Sequence, residues 1–139
     1  MEIITLERSG QEPLRFRGEL LATANGQFVS TPPDKPNVDW FELFIYRIEA
    51  TGFVVAVTYR RDFKGALDEC RRAGPTDNPT AWLQNFREQQ AFLKMVIGFP
   101  PGLEHKQRRL EERLTRQFDT LVSAVLKDFP QDLTQGAQP

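Results

Sequence analysis

The chain has 139 residues, 40% hydrophobic and 27% charged, with a formal net charge of −1. That is the size of one domain around one core. No run approaches the ~20 apolar residues of a membrane span, and Met1–Thr5 lacks the basic head and apolar stretch of a secretory leader. One cysteine and one histidine exclude an internal disulfide and a four-ligand nitrogen–sulfur metal site. The expectation is a cytoplasmic protein with no metal and no cofactor. Thirteen arginines stand against five lysines, a bias that suits bidentate carboxylate pairs and protein interfaces. The near-cancelled charge argues against affinity built mainly on phosphate neutralisation.

Glu2–Glu7 reads as a strand and Ser9–Pro13 as a turn. In Leu14–Ala24, Leu14, Phe16, Leu20 and Ala22 share one parity while Arg15, Arg17, Glu19 and Thr23 share the other, as in a half-buried strand ended by Asn25-Gly26. Thr31–Asp39, with three prolines, reads as a surface loop. Trp40–Ile48 and Phe53–Tyr59 are dense in aromatic and β-branched residues, and Glu49–Gly52 between them is short enough only for a hairpin. A turn of two or four residues puts Trp40, Phe44, Tyr46 and Ile48 on one face with Phe53, Val55, Val57 and Tyr59. The other face then carries Phe41, Leu43 and Ile45 with Val54, Ala56 and Thr58.

Arg61–Asn78 is less regular, with a helical turn expected at Ala66–Arg72 and stopped by Gly74-Pro75. Asn78-Pro79 supplies a capping residue and a proline for the first helical position. A helix follows, with Trp82, Phe86, Leu93 and Ile97 in its stripe and a C-cap at Gly98. A second helix is expected after Pro101-Gly102, running to about Phe129 and carrying Leu103, Leu110, Leu114, Phe118, Leu121, Val125 and Phe129 on one side, with Pro130 as its stop. Residues 131–139 are expected to fray. The fold expected is α+β: a four-stranded antiparallel β-meander followed by an antiparallel pair of α-helices packed on one face, one domain over residues 1–130. A small curled barrel plugged by the helices is the alternative.

Little in the sequence carries chemistry. Cys70 has Arg71 and Arg72 beside it, which can lower a thiol pKa, but a nucleophilic pair needs His105 adjacent, and nothing in the sequence places it there. The simpler reading is a partly buried cysteine and a solvated histidine. Glu42 shares a parity with Trp40, Phe44 and Tyr46, and an acid among apolar groups can act as a general acid. An ion pair across the hairpin with Arg61 accounts for it more simply. Arg60, Arg61, Lys64, Arg71 and Arg72 form one basic cluster, and Lys106, Arg108, Arg109, Arg113 and Arg116 another. Acids interleave with both, and Glu104–Arg108 and Glu112–Arg116 are spaced as helical ion pairs on a solvated face. There is no glycine-rich phosphate loop and no Gly-x-Ser-x-Gly elbow.

No residue is therefore nominated as catalytic, cofactor-binding or metal-binding, and the chain is not expected to be an enzyme. The expected function is that of a small adaptor or inhibitor-type protein, accessory or immunity-like, working through a protein interface. The expected interface is Phe41, Leu43, Ile45, Val54 and Ala56, rimmed by Arg47 and Arg60. It would be covered by a second copy, making a homodimer, or by a different protein. The alternative is a nucleic-acid-associated factor that uses the arginines at 60–72 and 106–116, distinguishable by a steep salt dependence. No membrane partner is expected.

Overall fold

A computed structural model describes residues 1–29, 36–63, 66–96 and 104–128. The chain is α+β, built on five antiparallel strands in sequence order: β1 (Glu2–Arg8), β2 (Gln11–Asn25), β3 (Asp39–Ile48), β4 (Phe53–Phe63) and β5 (Ala66–Thr76). They are followed by α1 (Pro79–Glu88), a 3₁₀ turn (Leu93–Met95) and α2 (Glu104–Asp128). The expected meander is present, with one strand more than the four expected. The addition is β5, which replaces the helical turn anticipated at Ala66–Arg72. It pairs with β4 along its whole length, from Phe63↔Ala66 to Phe53↔Thr76. It tolerates Pro75 because that residue shares the parity of Arg71, whose amide points away from β4 to the Ser9 hydroxyl, so no β4–β5 ladder bond is lost.

The sheet curls until its two edges meet. The Ser9 amide, in the β1–β2 turn, donates to the Arg71 carbonyl on β5 at 3.1 Å. The Arg71 amide donates to the Ser9 hydroxyl at 3.0 Å, and Arg72 Nη1 reaches the Ser9 carbonyl at 3.0 Å. β2 bends at a bulge: the pairing steps from Leu20↔Tyr46 to Ala22↔Ile45. One extra residue there reverses the facing of everything after it. Ala22 therefore leaves the face of Phe16 and Leu20, where parity alone would keep it, and joins the larger core.

That core joins one face of the sheet to the helices. Phe41, Leu43, Ile45, Phe53, Val55, Val57 and Tyr59 pack with Leu83 and Phe86 of α1, Phe92 and Met95 near the 3₁₀ turn, and Leu114, Phe118, Leu121 and Val125 of α2. Phe118 lies at its centre, stacked on Phe92 at 4.6 Å and edge-on to Phe41 at 5.6 Å. α1 and α2 meet through Phe86–Phe118 and an Arg87–Asp119 ion pair of 2.7 Å.

The α1 start is as its sequence implies: Asn78 is the N-cap, its side chain accepting from the Ala81 amide at 3.1 Å, with Pro79 beginning the helix. Its end comes earlier than expected. The amides of Gln90 and Ala91 turn back to the carbonyls of Arg87 and Phe86, and Gln90 takes a φ of 54°. This is a Schellman cap with glutamine in the left-handed position that glycine usually fills. Leu93 therefore sits in the 3₁₀ turn rather than in the α1 stripe. The cap expected at Gly98, with Ile97 before it, lies outside the described residues. So do Leu103, Phe129, Pro130, the tail, and most of the 31–39 loop. Within α2, Leu114, Phe118, Leu121 and Val125 are buried as expected.

Candidate functional site

The residues expected to form one interface do not share a face. Arg47 pairs with Phe53, Ile45 with Val55, Leu43 with Val57 and Phe41 with Tyr59. Five residues, Ile48 to Gly52, therefore separate the last β3–β4 pair, and an odd number reverses the facing that a two- or four-residue turn would give. Gly52 makes such a turn possible at a φ of 88°. Phe41, Leu43 and Ile45 are each 0% exposed beneath the helices, while Val54 and Ala56 point to the opposite side. Arg47 pairs with Glu19 at 3.0 Å and Arg60 with Glu42 at 3.1 Å. The premise of a sheet apolar on both faces holds, but the β3 residues have changed sides relative to those of β4: Phe41, Leu43 and Ile45 join Phe53, Val55, Val57 and Tyr59, while Phe44, Tyr46 and Ile48 join Val54 and Ala56.

The face away from the helices carries its own apolar cluster. Val54, Ala56, Ala73 and Leu6 form its buried floor, and Ile4, Leu14, Phe16, Phe44, Tyr46 and Ile48 pack around them half-buried. Phe16 meets Tyr46 edge-on at 5.5 Å, and Phe44 stacks on Tyr46 at 6.3 Å. Leu20, directly opposite Tyr46, is 49% exposed. Burial pushes the Tyr46 phenol above its ordinary pKa, with Arg71 pulling it partly back.

A chain of charges closes one end of this face. Trp40 Nε1 donates to Glu42 Oε1 at 3.2 Å. Arg60 Nε lies 3.1 Å from the same oxygen, an ion pair whose angle leaves Nε without a proper hydrogen bond. Arg60 continues to Glu69 at 3.6 Å, Glu69 to Arg71 at 3.0 Å, and Arg71 to the buried Thr58 hydroxyl at 3.0 Å. Glu42 is thus ion-paired, as the simpler reading held. Its partner is Arg60, diagonally placed, because the odd turn sets Thr58 rather than Arg61 across from it.

The remaining candidates lie apart. Cys70 stands opposite Tyr59 and packs against the larger core, whereas His105 is exposed in the first turn of α2. No hydrogen bond joins them. In the first basic cluster Arg60 and Arg71 are committed to acids and Arg72 to the Ser9 carbonyl. In the second, Lys106, Arg108, Arg109 and Arg116 are exposed, and Glu112 and Arg116 form no ion pair.

Sequence reasoning missed a polar site between α2 and the end of β3. Asp39, 4% exposed, accepts from the Tyr59 hydroxyl at 3.1 Å and pairs with Arg113. Arg113 also donates to Asn37 Oδ1 at 3.1 Å. Burial and the Asp39 carboxylate hold the Tyr59 phenol far above its ordinary range. Beside this network Gln117, 4% exposed, accepts the Phe41 amide at 2.8 Å, while its Nε2 has no partner. Val29, Asn37, Arg113, Arg116, Gln117, Asp119 and Thr120 line a cleft of about 490 Å³ there. The one available signal was a glutamine inside an apolar helix stripe, at spacings of three and four from Leu114 and Leu121.

Among the described residues no three His, Cys, Asp or Glu side chains gather as metal ligands, and no helix is long and apolar enough to cross a membrane. No protein-family model, curated protein or solved structure matches the chain.

Proposed function

We propose that this chain is a protein-binding module, of adaptor or inhibitor type, that receives a partner polypeptide on the sheet face away from the helices. In this reading the helices act as an antiparallel pair closing one face, leaving the other to the partner. The observation that supports it is the apolar strip of Leu14, Phe16, Phe44, Tyr46 and Ile48, half-buried beside the exposed Leu20. Aromatic residues framed by arginine are the usual make-up of an interface centre. The alternating Glu42, Arg60, Glu69 and Arg71 at its end present both signs, so a second copy can dock without like-charge repulsion.

The test is sedimentation equilibrium of the wild-type protein and Leu20→Glu across a wide concentration range. Leu20 is exposed enough for the substitution to leave the fold intact, which circular dichroism checks. Self-association lost in the variant identifies a second copy as the partner. Where the wild type is monomeric throughout, both proteins serve as capture baits, and a polypeptide held by the wild type and released by Leu20→Glu supports the reading. A protein that neither self-associates nor holds anything that the variant loses overturns it. The nucleic-acid alternative draws less support, since the arginines at 60–72 largely serve internal pairs.

A further inference from the structure

We propose that the cleft between α2 and the Asn37–Asp39 segment binds a small oxyanion, a carboxylate or phosphate group, through Gln117, Arg113 and Arg116. The proposal is independent of the sheet-face reading and rests on the hydrogen-bonding inventory of the cleft.

The carboxylate and amide oxygens there already hold donors. Asn37 Oδ1 receives Arg113, and both Asp119 oxygens receive Arg87, at 2.7 and 3.3 Å. Asp39 is shared between Tyr59 and Arg113. The Thr120 hydroxyl donates its proton to the Arg116 carbonyl at 2.9 Å, so it offers the cleft only its oxygen.

The donors are in surplus. Phe41 can donate only to an oxygen, which fixes the orientation of the Gln117 amide and makes the other end its NH₂. That NH₂ is buried and unpaired, and a buried polar group without a partner is costly enough to call for an explanation. The charges agree. Arg113 is offset by Asp39 and Asp119 by Arg87, which leaves Arg116, without an ion pair among the described residues, as the uncompensated charge. A site with unspent N–H groups and one extra positive charge is matched by a ligand that brings acceptor oxygens and negative charge.

The experiment is calorimetric titration of the full chain with inorganic phosphate, and separately with succinate, against sodium chloride at matched ionic strength. Two variants accompany the wild type. Gln117→Glu keeps an oxygen for the Phe41 amide but replaces the unpaired donor with an acceptor. Arg116→Gln removes the free charge at an exposed position and leaves the core untouched, so it carries the test if Gln117→Glu does not fold. The expected result is saturable binding of one anion, weakened about tenfold or more in each folded variant, as befits loss of a charge-assisted hydrogen bond. Preference for phosphate or for succinate assigns the ligand class. Heat no greater than that of chloride overturns the proposal, and so does binding that both variants retain, since that is a surface ion only.

Discussion

The side-chain oxygen of Gln117 on α2 accepts the main-chain N–H of Phe41 on β3 at 2.8 Å. This bond crosses from helix to sheet inside the core, and it supplies the buried Phe41 amide with its acceptor. Gly26 leaves room for it: a Cβ on Gly26 would lie 2.4 Å from Gln117 Oε1.

Two substitutions should therefore act on one contact. Gln117→Leu strands the Phe41 amide and should cost about 1–3 kcal/mol. Gly26→Ala should displace the same glutamine. If both act through this bond, the double variant loses less than the sum of the singles. Urea unfolding of the four proteins measures the coupling, and strict additivity would show that the bond is not what either change disrupts.

The two apolar clusters should differ in weight. Phe118 is fully buried among Phe41, Phe86 and Phe92, so Phe118→Ala should cost about 3–5 kcal/mol. Phe44 is half-buried on the uncovered face, and Phe44→Ala should cost clearly less. Equal losses in chemical denaturation would mean that the second face is as well enclosed as the first.

Much of this architecture is legible in the sequence, and the rest is hidden for identifiable reasons. Trp40–Ile48 and Phe53–Tyr59 announce themselves through aromatic and β-branched content, and Asn78-Pro79 through capping chemistry. β5 does not, because Asp68, Glu69, Arg71, Arg72, Gly74 and Pro75 have poor strand propensity, and only pairing with β4 makes them a strand. The facing of β3 against β4 hinges on whether the turn holds an even or an odd number of residues, which composition does not reveal. The Leu20–Ala22 bulge and the left-handed Gln90 are likewise fixed by tertiary packing. The cleft at Gln117 brings together residues from opposite ends of the chain, and no local pattern joins them.

The reversed facing has a direct consequence for a pair of leucines. Leu43 is 0% exposed beneath the helices, whereas Leu20 is 49% exposed on the other face. Leu43→Glu places a carboxylate in the larger core and should unfold the protein. Leu20→Glu should leave the far-ultraviolet spectrum and thermal transition nearly unchanged. A folded Leu43→Glu monomer would return Leu43 to the surface and refute the register.

The chain has two tyrosines, and both should resist alkali. Burial raises the pKa of each above the ordinary 10.0, and for Tyr59 the Asp39 carboxylate adds to the effect. A pKa raised in the folded state means that folding favours the protonated phenol. Below pH 10 neither state is ionised and the preference has no effect on stability; above it the unfolded chain alone loses its protons. Stability should therefore fall as pH rises above 10, by up to about 1.4 kcal/mol per pH unit for the fully buried Tyr59, with Tyr46 adding in the same direction. At pH 10, where a solvated tyrosine is half ionised, phenolate absorbance should fall short of that of the unfolded chain, and it should rise further together with the loss of helical ellipticity. Tyr59→Phe should lessen the alkaline slope by about one proton's worth, leaving the share of Tyr46. Phenolate that appears at the ordinary pH in a protein still folded would show that neither ring is enclosed as described.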